Sequence, residues 1–220
     1  MIMVRGSAQQ IDVGALTVPT AGNKIGAMLY RAKALTVLIA SLLPVLAACG
    51  GRLYKVAPLP ASVPPEISMG NGGGLDVGAV ALDGERSYER FEANLPLAGV
   101  IAVDVRMINK SEAAIMTNSL RFELRNSSGA ALKRIAPKKA LGAVMKYYGD
   151  NFYAKVAYRR TLEDYESVAL KQEVAIEPER EIRGIVFFQT KRETTSVDGL
   201  ILSVAGLSAP VNVQLQTAHK

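Results

Sequence analysis

From Leu75 onward, apolar residues recur at every second position, and that period decides the class of fold. Ile101, Val103, Val105 and Met107 alternate with Ala102, Asp104 and Arg106. Leu120, Phe122 and Leu124 alternate with Arg121, Glu123 and Arg125, and Val211, Val213 and Leu215 with Asn212 and Gln214. Leu200, Leu202 and Val204 keep the same step. Successive side chains of a strand point to opposite faces, so these runs predict strands with one face buried and one wet. The GIVFF run (184–188) is apolar on both faces, which predicts a strand covered on both sides. Weaker strand patterns lie at 75–82 and 92–97. Asp83-Gly84, Asn109-Lys110-Ser111, Asn126-Ser127-Ser128-Gly129, Pro178 and Asp198-Gly199 separate the runs with residues suited to turns. About seven or eight strands at this spacing predict an antiparallel β-sandwich.

One stretch departs from the pattern. Residues 137–160 place Leu141, Val144, Met145, Tyr148, Phe152 and Val156 on one helical arc, with Pro137 allowed in the first turn. Lys155 also falls inside that arc, so the far end of the helix must leave the arc or snorkel the lysine. Gly149-Asp150-Asn151 is the place for a break into two pieces. Thr161 and Asp164 have the spacing of a capping box, and Leu162, Tyr165, Val168 and Ala169 continue a second short helix. The expected fold is mainly β, a sandwich with an inserted α-helical segment over about 137–171. At 220 residues, 49% hydrophobic and 21% charged, the chain is too apolar for disorder and has room for one or two modest domains.

Three segments carry a likeness. VRMINKS (105–111), SLRFELRNSSG (119–129) and GIVFF (184–188) resemble the immunoglobulin-like sandwich found in bacterial lipoproteins and in late-embryogenesis-abundant-type domains. There a strand ends in Asn-Lys-Ser, the next alternates Phe and Leu up to a Gly turn, and a late strand reads Gly-x-Val-x-Phe. The resemblance implies an immunoglobulin-like β-sandwich that binds or scaffolds. It carries no catalytic residue.

The front of the chain follows different rules. Arg31 and Lys33 precede an uncharged, largely apolar stretch over 34–45, and Leu46-Ala47-Ala48-Cys49 follows at once. A positive end, a short apolar core and small residues before a cut make a secretory signal peptide. The run to Ala48 falls short of the about 20 apolar residues that a membrane-spanning helix needs, and it contains Pro44. Leu46, Ala47, Ala48 and Cys49 resemble the lipobox of bacterial lipoproteins. The resemblance implies cleavage before Cys49, a diacylglyceryl thioether on its sulfur and an acyl chain on the new amino group. Two or three acyl chains hold a protein on a bilayer where one lets go. The expected partner is therefore the membrane, through lipid on Cys49. Met28 opens a signal peptide of ordinary size (28–48), so residues 1–27 are read as a mis-assigned or disordered extension. Gly50 and Gly51 stand where an Asp often signals inner-membrane retention. This favours the periplasmic face of a bacterial outer membrane.

Between lipid and domain, residues 49–74 are rich in Gly and Pro and read as a flexible tether, reaching on the order of 25–30 Å. Gly70-Asn71-Gly72-Gly73-Gly74 lacks the Lys-Ser/Thr ending of a phosphate loop and is read as linker. The domain then spans 75–220. The net charge of +6 is no argument for nucleic acid, because Arg5, Lys24, Arg31 and Lys33, offset only by Asp12, precede Cys49.

Chemistry is sparse. One Cys and one His exclude a disulfide framework and a multi-His metal centre within one chain. His219 sits in a polar tail, and no nucleophile motif or cofactor motif is present. No catalytic residue, no metal ligand and no cofactor is expected, and the chain reads as a non-enzyme. Glu163/Asp164 and Glu177/Glu179/Glu181 are read as solvated acids rather than a glycosidase pair. Five of the eight tyrosines lie between Tyr147 and Tyr165. On one continuous helix, Tyr147 and Tyr158 share a flank and Tyr153 points nearly opposite. With Lys139 and Lys146 they form the candidate interaction surface, suited to an envelope protein or a glycan. Docking of the insertion onto the sandwich competes with that reading for the tyrosines, and a solvated face competes for the cations. The expected function is a lipid-anchored binding or scaffolding module. An accessory subunit of a secretion or surface apparatus is the alternative, and a hydrolase stands last.

Overall fold

In a computed structural model, residues 51–60, 67–150, 155–190, 193–194 and 196–215 are described. Cys49–Lys220 makes one compact unit. The lipobox residues Leu46, Ala47, Ala48 and Cys49 lie outside the described residues, as do Phe152 and Tyr153.

Among the described residues, ten strands and three α-helices follow in order: β1 (Ser68–Gly72), β2 (Leu75–Leu82), α1 (Gly84–Phe91), β3 (Val100–Asn109), β4 (Ile115–Met116), β5 (Arg121–Arg125), β6 (Ala131–Ile135), α2 (Pro137–Tyr148), α3 (Lys155–Val168), β7 (Ala175–Ile176), β8 (Glu181–Gln189), β9 (Ile201–Ala205) and β10 (Val211–Gln214). Eight strands form one antiparallel sheet in the order β1-β2-β3-β8-β6-β5-β9-β10, and β4 and β7 pair separately. The fold is mainly β, and its sheet curls until it nearly closes into a barrel.

Two places make the curl. At one, β6 turns a corner. Ala131 and Leu132 pair with β5, while Lys133, Arg134 and Ile135 pair with β8. A strand that switches partners carries hydrogen bonding around the bend, so the strands expected in two sheets join into one. At the other, the two ends of the sheet come together. β1 presents Gly70 and Gly72 to β10, where an added Cβ would lie 2.7 Å from the Asn212 carbonyl oxygen and 3.0 Å from that of Pro210. Only glycine lets the backbones approach so closely. The Gly-rich run read as linker is thus the end of β1 and its turn. Gly73 and Gly74, with φ of +53° and +77°, make the two-residue hairpin that pairs Gly72 with Leu75.

The sheet separates two cores. Inside it, Val77, Val103, Val105, Met107, Leu124, Val186, Phe188, Leu202, Val204, Val211 and Val213 pack together. On the outer face of β2, β3 and β8, the helices cover Leu82, Val100, Ala102, Ile185 and Phe187 with Phe91, Leu141, Val144, Tyr165 and Val168. GIVFF is therefore covered on both sides, as its composition predicts. The Asp104 face of β3, expected to be wet, lies beneath this second layer, and Asp104 is buried.

The helical segment breaks where its turn residues stand. Gly149 ends α2 in the left-handed region at φ +74°, its N–H donating to Met145. Thr161 is not a cap: it lies inside α3, and its hydroxyl donates to the Ala157 carbonyl at 3.0 Å. Tyr148 and Val156, placed in the core arc by periodicity, are exposed because the chain turns at Gly149 before the arc can continue. Residues 92–97 form no strand. Glu92 adopts φ +49° after α1, and the connection drops Ala93 and Leu95 into the outer core. The helix α1, capped by the Asp83 side chain on the Arg86 N–H, was hidden by its polar sequence.

Candidate functional site

The chain that follows Cys49 is strapped to the outer layer from Arg52 to Pro60. Arg52 pairs with Asp164 of α3. The Leu53 N–H donates to Thr161 Oγ1 at 2.8 Å. The Tyr54 ring is buried, with its hydroxyl donating to Asp150. The Lys55 N–H donates to Glu92 Oε2 at 3.1 Å, and Ala57 donates to the Arg90 carbonyl at 2.7 Å. Arg90 in turn donates to the carbonyls of Ala57 and Pro58. Arg183 closes the run by donating from Nη1 to the Pro60 carbonyl at 2.7 Å. The run from Arg52 to Pro60, expected to hang free, is thus anchored to α1 and its cap, to α3, to Asp150 just past α2, and to β8. Its composition hides this because six of the contacts use backbone groups, which no side-chain pattern reveals.

Beneath the strap lies a buried ion pair. Arg183 Nε and Nη2 donate to the two oxygens of Asp104 at 2.9 and 2.7 Å, in a two-pronged contact whose side chains are 11% and 2% exposed. In the β3–β8 register Asp104 faces Ile185 and Arg183 faces Arg106, so the pair is diagonal. Arg106 turns instead to Glu181 at 2.7 Å, and that hydrogen bond holds the Glu181 carboxyl below its ordinary range. Burial pushes the Tyr54 phenol well above its usual value, and the Asp150 contact adds to the shift. Burial likewise raises Tyr165, whose hydroxyl finds no hydrogen-bond partner among the described residues.

The candidate interaction residues do not form one surface. Tyr147 is in the last turn of α2, 40% exposed, with its ring edge-on to Tyr148 at 5.0 Å. Lys146 is exposed beside it, but Lys139 lies in the first turn of the same helix, about 10 Å away along the axis. Tyr158 is on α3, half-buried against the outer core, so the flank shared with Tyr147 on a single helix is not formed. Tyr153 is not among the described residues.

The structure gathers a different set at the end of the hairpin made by α2 and α3. Lys146, Tyr147 and Tyr148 close α2, and Lys155, Val156 and Arg159 open α3. All six are exposed. The Tyr148 hydroxyl accepts from the Asn94 N–H at 2.9 Å, and its ring lies 6.1 Å from that of Tyr54. The tip is thereby tied to the strap. Asp150, the acid nearest this end, is engaged by Tyr54.

A shallow cavity of about 250 Å³ opens where β6 leaves β8, lined by Arg134, Ala136, Pro137, Leu170 and Gln172 among others. Arg134 stacks over the Phe122 ring at 5.1 Å. Among the described residues no three His, Cys, Asp or Glu side chains are grouped so as to hold a metal ion, and no helix is long and apolar enough to cross a membrane. No protein-family model matches the chain, and no curated protein and no solved structure matches it significantly.

Proposed function

We propose that this chain is a lipid-anchored protein of the bacterial cell envelope, held through Cys49, and that its β domain is a non-enzymatic binding or scaffolding module. The observation that carries the reading is the order of residues 31–49: two cations, an uncharged apolar stretch, then Leu46-Ala47-Ala48-Cys49. The likeness of VRMINKS and GIVFF to immunoglobulin-like lipoprotein domains supports the binding role. Asn109 of that first motif serves architecture rather than chemistry. Its Nδ2 donates to the carbonyls of Ala113 and Ile176, and its Oδ1 accepts from Ser111, pinning the turn after β3 to β7. Gly50 and Gly51 after the anchor favour the periplasmic face of the outer membrane.

Mass analysis of the native product tests the anchor. The expected species begins at Cys49 and carries a diacylglyceryl thioether. Cys49→Ala leaves the protein in the soluble fraction. A bare sulfur with the leader still attached defeats the reading.

A further inference from the structure

We propose that the tip of the α2–α3 hairpin rests on the anionic lipid surface to which Cys49 is anchored; the inference builds on the anchor reading. Two observations carry it. The first is the number of residues between the anchor and the strap. Arg52 is already fixed on Asp164, so three residue steps separate the last fixed point from Cys49, about 10 Å when fully extended. Such a leash holds the outer layer within little more than one Debye length of the headgroups, about 8 Å at physiological salt.

The second observation is the chemistry of the tip. Seven large hydrophobic side chains are exposed among the described residues. Met69, Tyr88, Met116 and Ile201 lie on four different elements, whereas Tyr147, Tyr148 and Val156 share this one end. Tyrosines with an apolar body and a polar tip suit the boundary between headgroups and acyl chains. Lys146 and Lys155 flank them, and each cation near an anionic surface strengthens partition about fivefold. Of the acids near this end, Asp150 is engaged by Tyr54, and Glu163 faces Arg159 at 3.7 Å. The strap ties the same end to the anchor, because Tyr54, five residues past Cys49, packs beside Tyr148. The short leash and the two lysines favour an anionic lipid surface over a protein or glycan ligand.

The chain has one cysteine and no tryptophan, and both facts serve the test. Residues 49–220 are coupled through the Cys49 thiol to maleimide lipid in vesicles containing acyl-brominated lipid. Mixed phosphatidylglycerol–phosphatidylcholine vesicles are compared with phosphatidylcholine alone. Tyr147→Trp and Val156→Trp report on the tip, and Ile201→Trp reports on the far wall of the barrel. On the anionic vesicles, tryptophan emission of the two tip variants falls by about half or more, while that of Ile201→Trp is unchanged. Adding Lys146→Glu and Lys155→Glu returns the tip signal to its value on phosphatidylcholine. Equal quenching at tip and far wall, or none at the tip, overturns the proposal. So does a concentration-dependent blue shift of Tyr147→Trp without vesicles, which assigns the tip to a second copy of the chain. Because the coupling is chemical, failure here leaves the native anchor standing. A bare Cys49 in the native product removes the anchor and leaves the vesicle result intact.

Discussion

The two cores of this domain lie on opposite faces of the same strands and are built by different means. The inner core is dominated by aliphatic residues at alternate positions of six strands, with two phenylalanines among them. The outer core is aromatic: Phe91, Tyr165 and Phe187 meet with ring centroids 4.9 to 5.9 Å apart. It is also stapled by polar groups at its margins: Thr161, Ser87 and Asp104 are buried, and Arg183, paired with Asp104, is nearly so. A curled sheet brings its own inward faces together. A layer of three short helices and a strap has no such closure and must be pinned at discrete points, each costing desolvation that its partner offsets.

That contrast can be broken first at the ion pair. Asp104→Ala leaves the Arg183 guanidinium buried without its carboxylate and should cost about 3–5 kcal/mol. Urea unfolding measures the loss. Replacing both residues by leucine should recover most of it, and failure to recover would give the pair a net stabilising role.

Adjacent residues on β8 sharpen the comparison. Phe188 points into the barrel and Phe187 into the helical layer, and both are fully buried. Phe188→Ala should cost about 3–5 kcal/mol and lower protection from hydrogen exchange throughout the domain. Phe187→Ala should cost less, about 3 kcal/mol, because the helices can settle onto the gap. Its exchange increase should be confined to α1, α2, α3 and the strap. Equal spread of exchange would mean that the two cores unfold as one.

A smaller effect isolates the strap. Thr161→Val removes the acceptor for the Leu53 N–H, at a cost of about 1 kcal/mol. Faster exchange over residues 52–60, with β2 and β3 unchanged, is the expected signature. The least change is expected at Tyr165. Its buried hydroxyl lacks a partner among the described residues, so Tyr165→Phe should be neutral or stabilising by up to about 1 kcal/mol, read as an equal or higher Tm.

The inner core was legible because its signal is periodic. β2, β3, β5, β8, β9 and β10 each show the two-residue step or a doubly apolar run. The outer layer was legible only where it repeats that kind of pattern, in α2 and the later half of α3. The apolar period runs straight through Gly149, and so places Tyr148 and Val156 on a face that the chain abandons. β1 stayed hidden because its glycines serve the approach of another backbone, and β6 because Ala131 and Lys133 are exposed. The strap was illegible for a deeper reason. Its partners lie 32 to 123 residues away, apart from the Thr161 hydroxyl and the Arg90 carbonyl they are common charged side chains, and nothing local marks them. The surface proposed at the tip depends on that same distant contact.

The separation in sequence has a consequence for the order of events in the cell. Residues 52–60 are synthesised before nearly everything else described, yet Thr161, Asp164 and Arg183 emerge from the ribosome more than a hundred positions later. The helical layer therefore cannot be completed while the nascent chain is short.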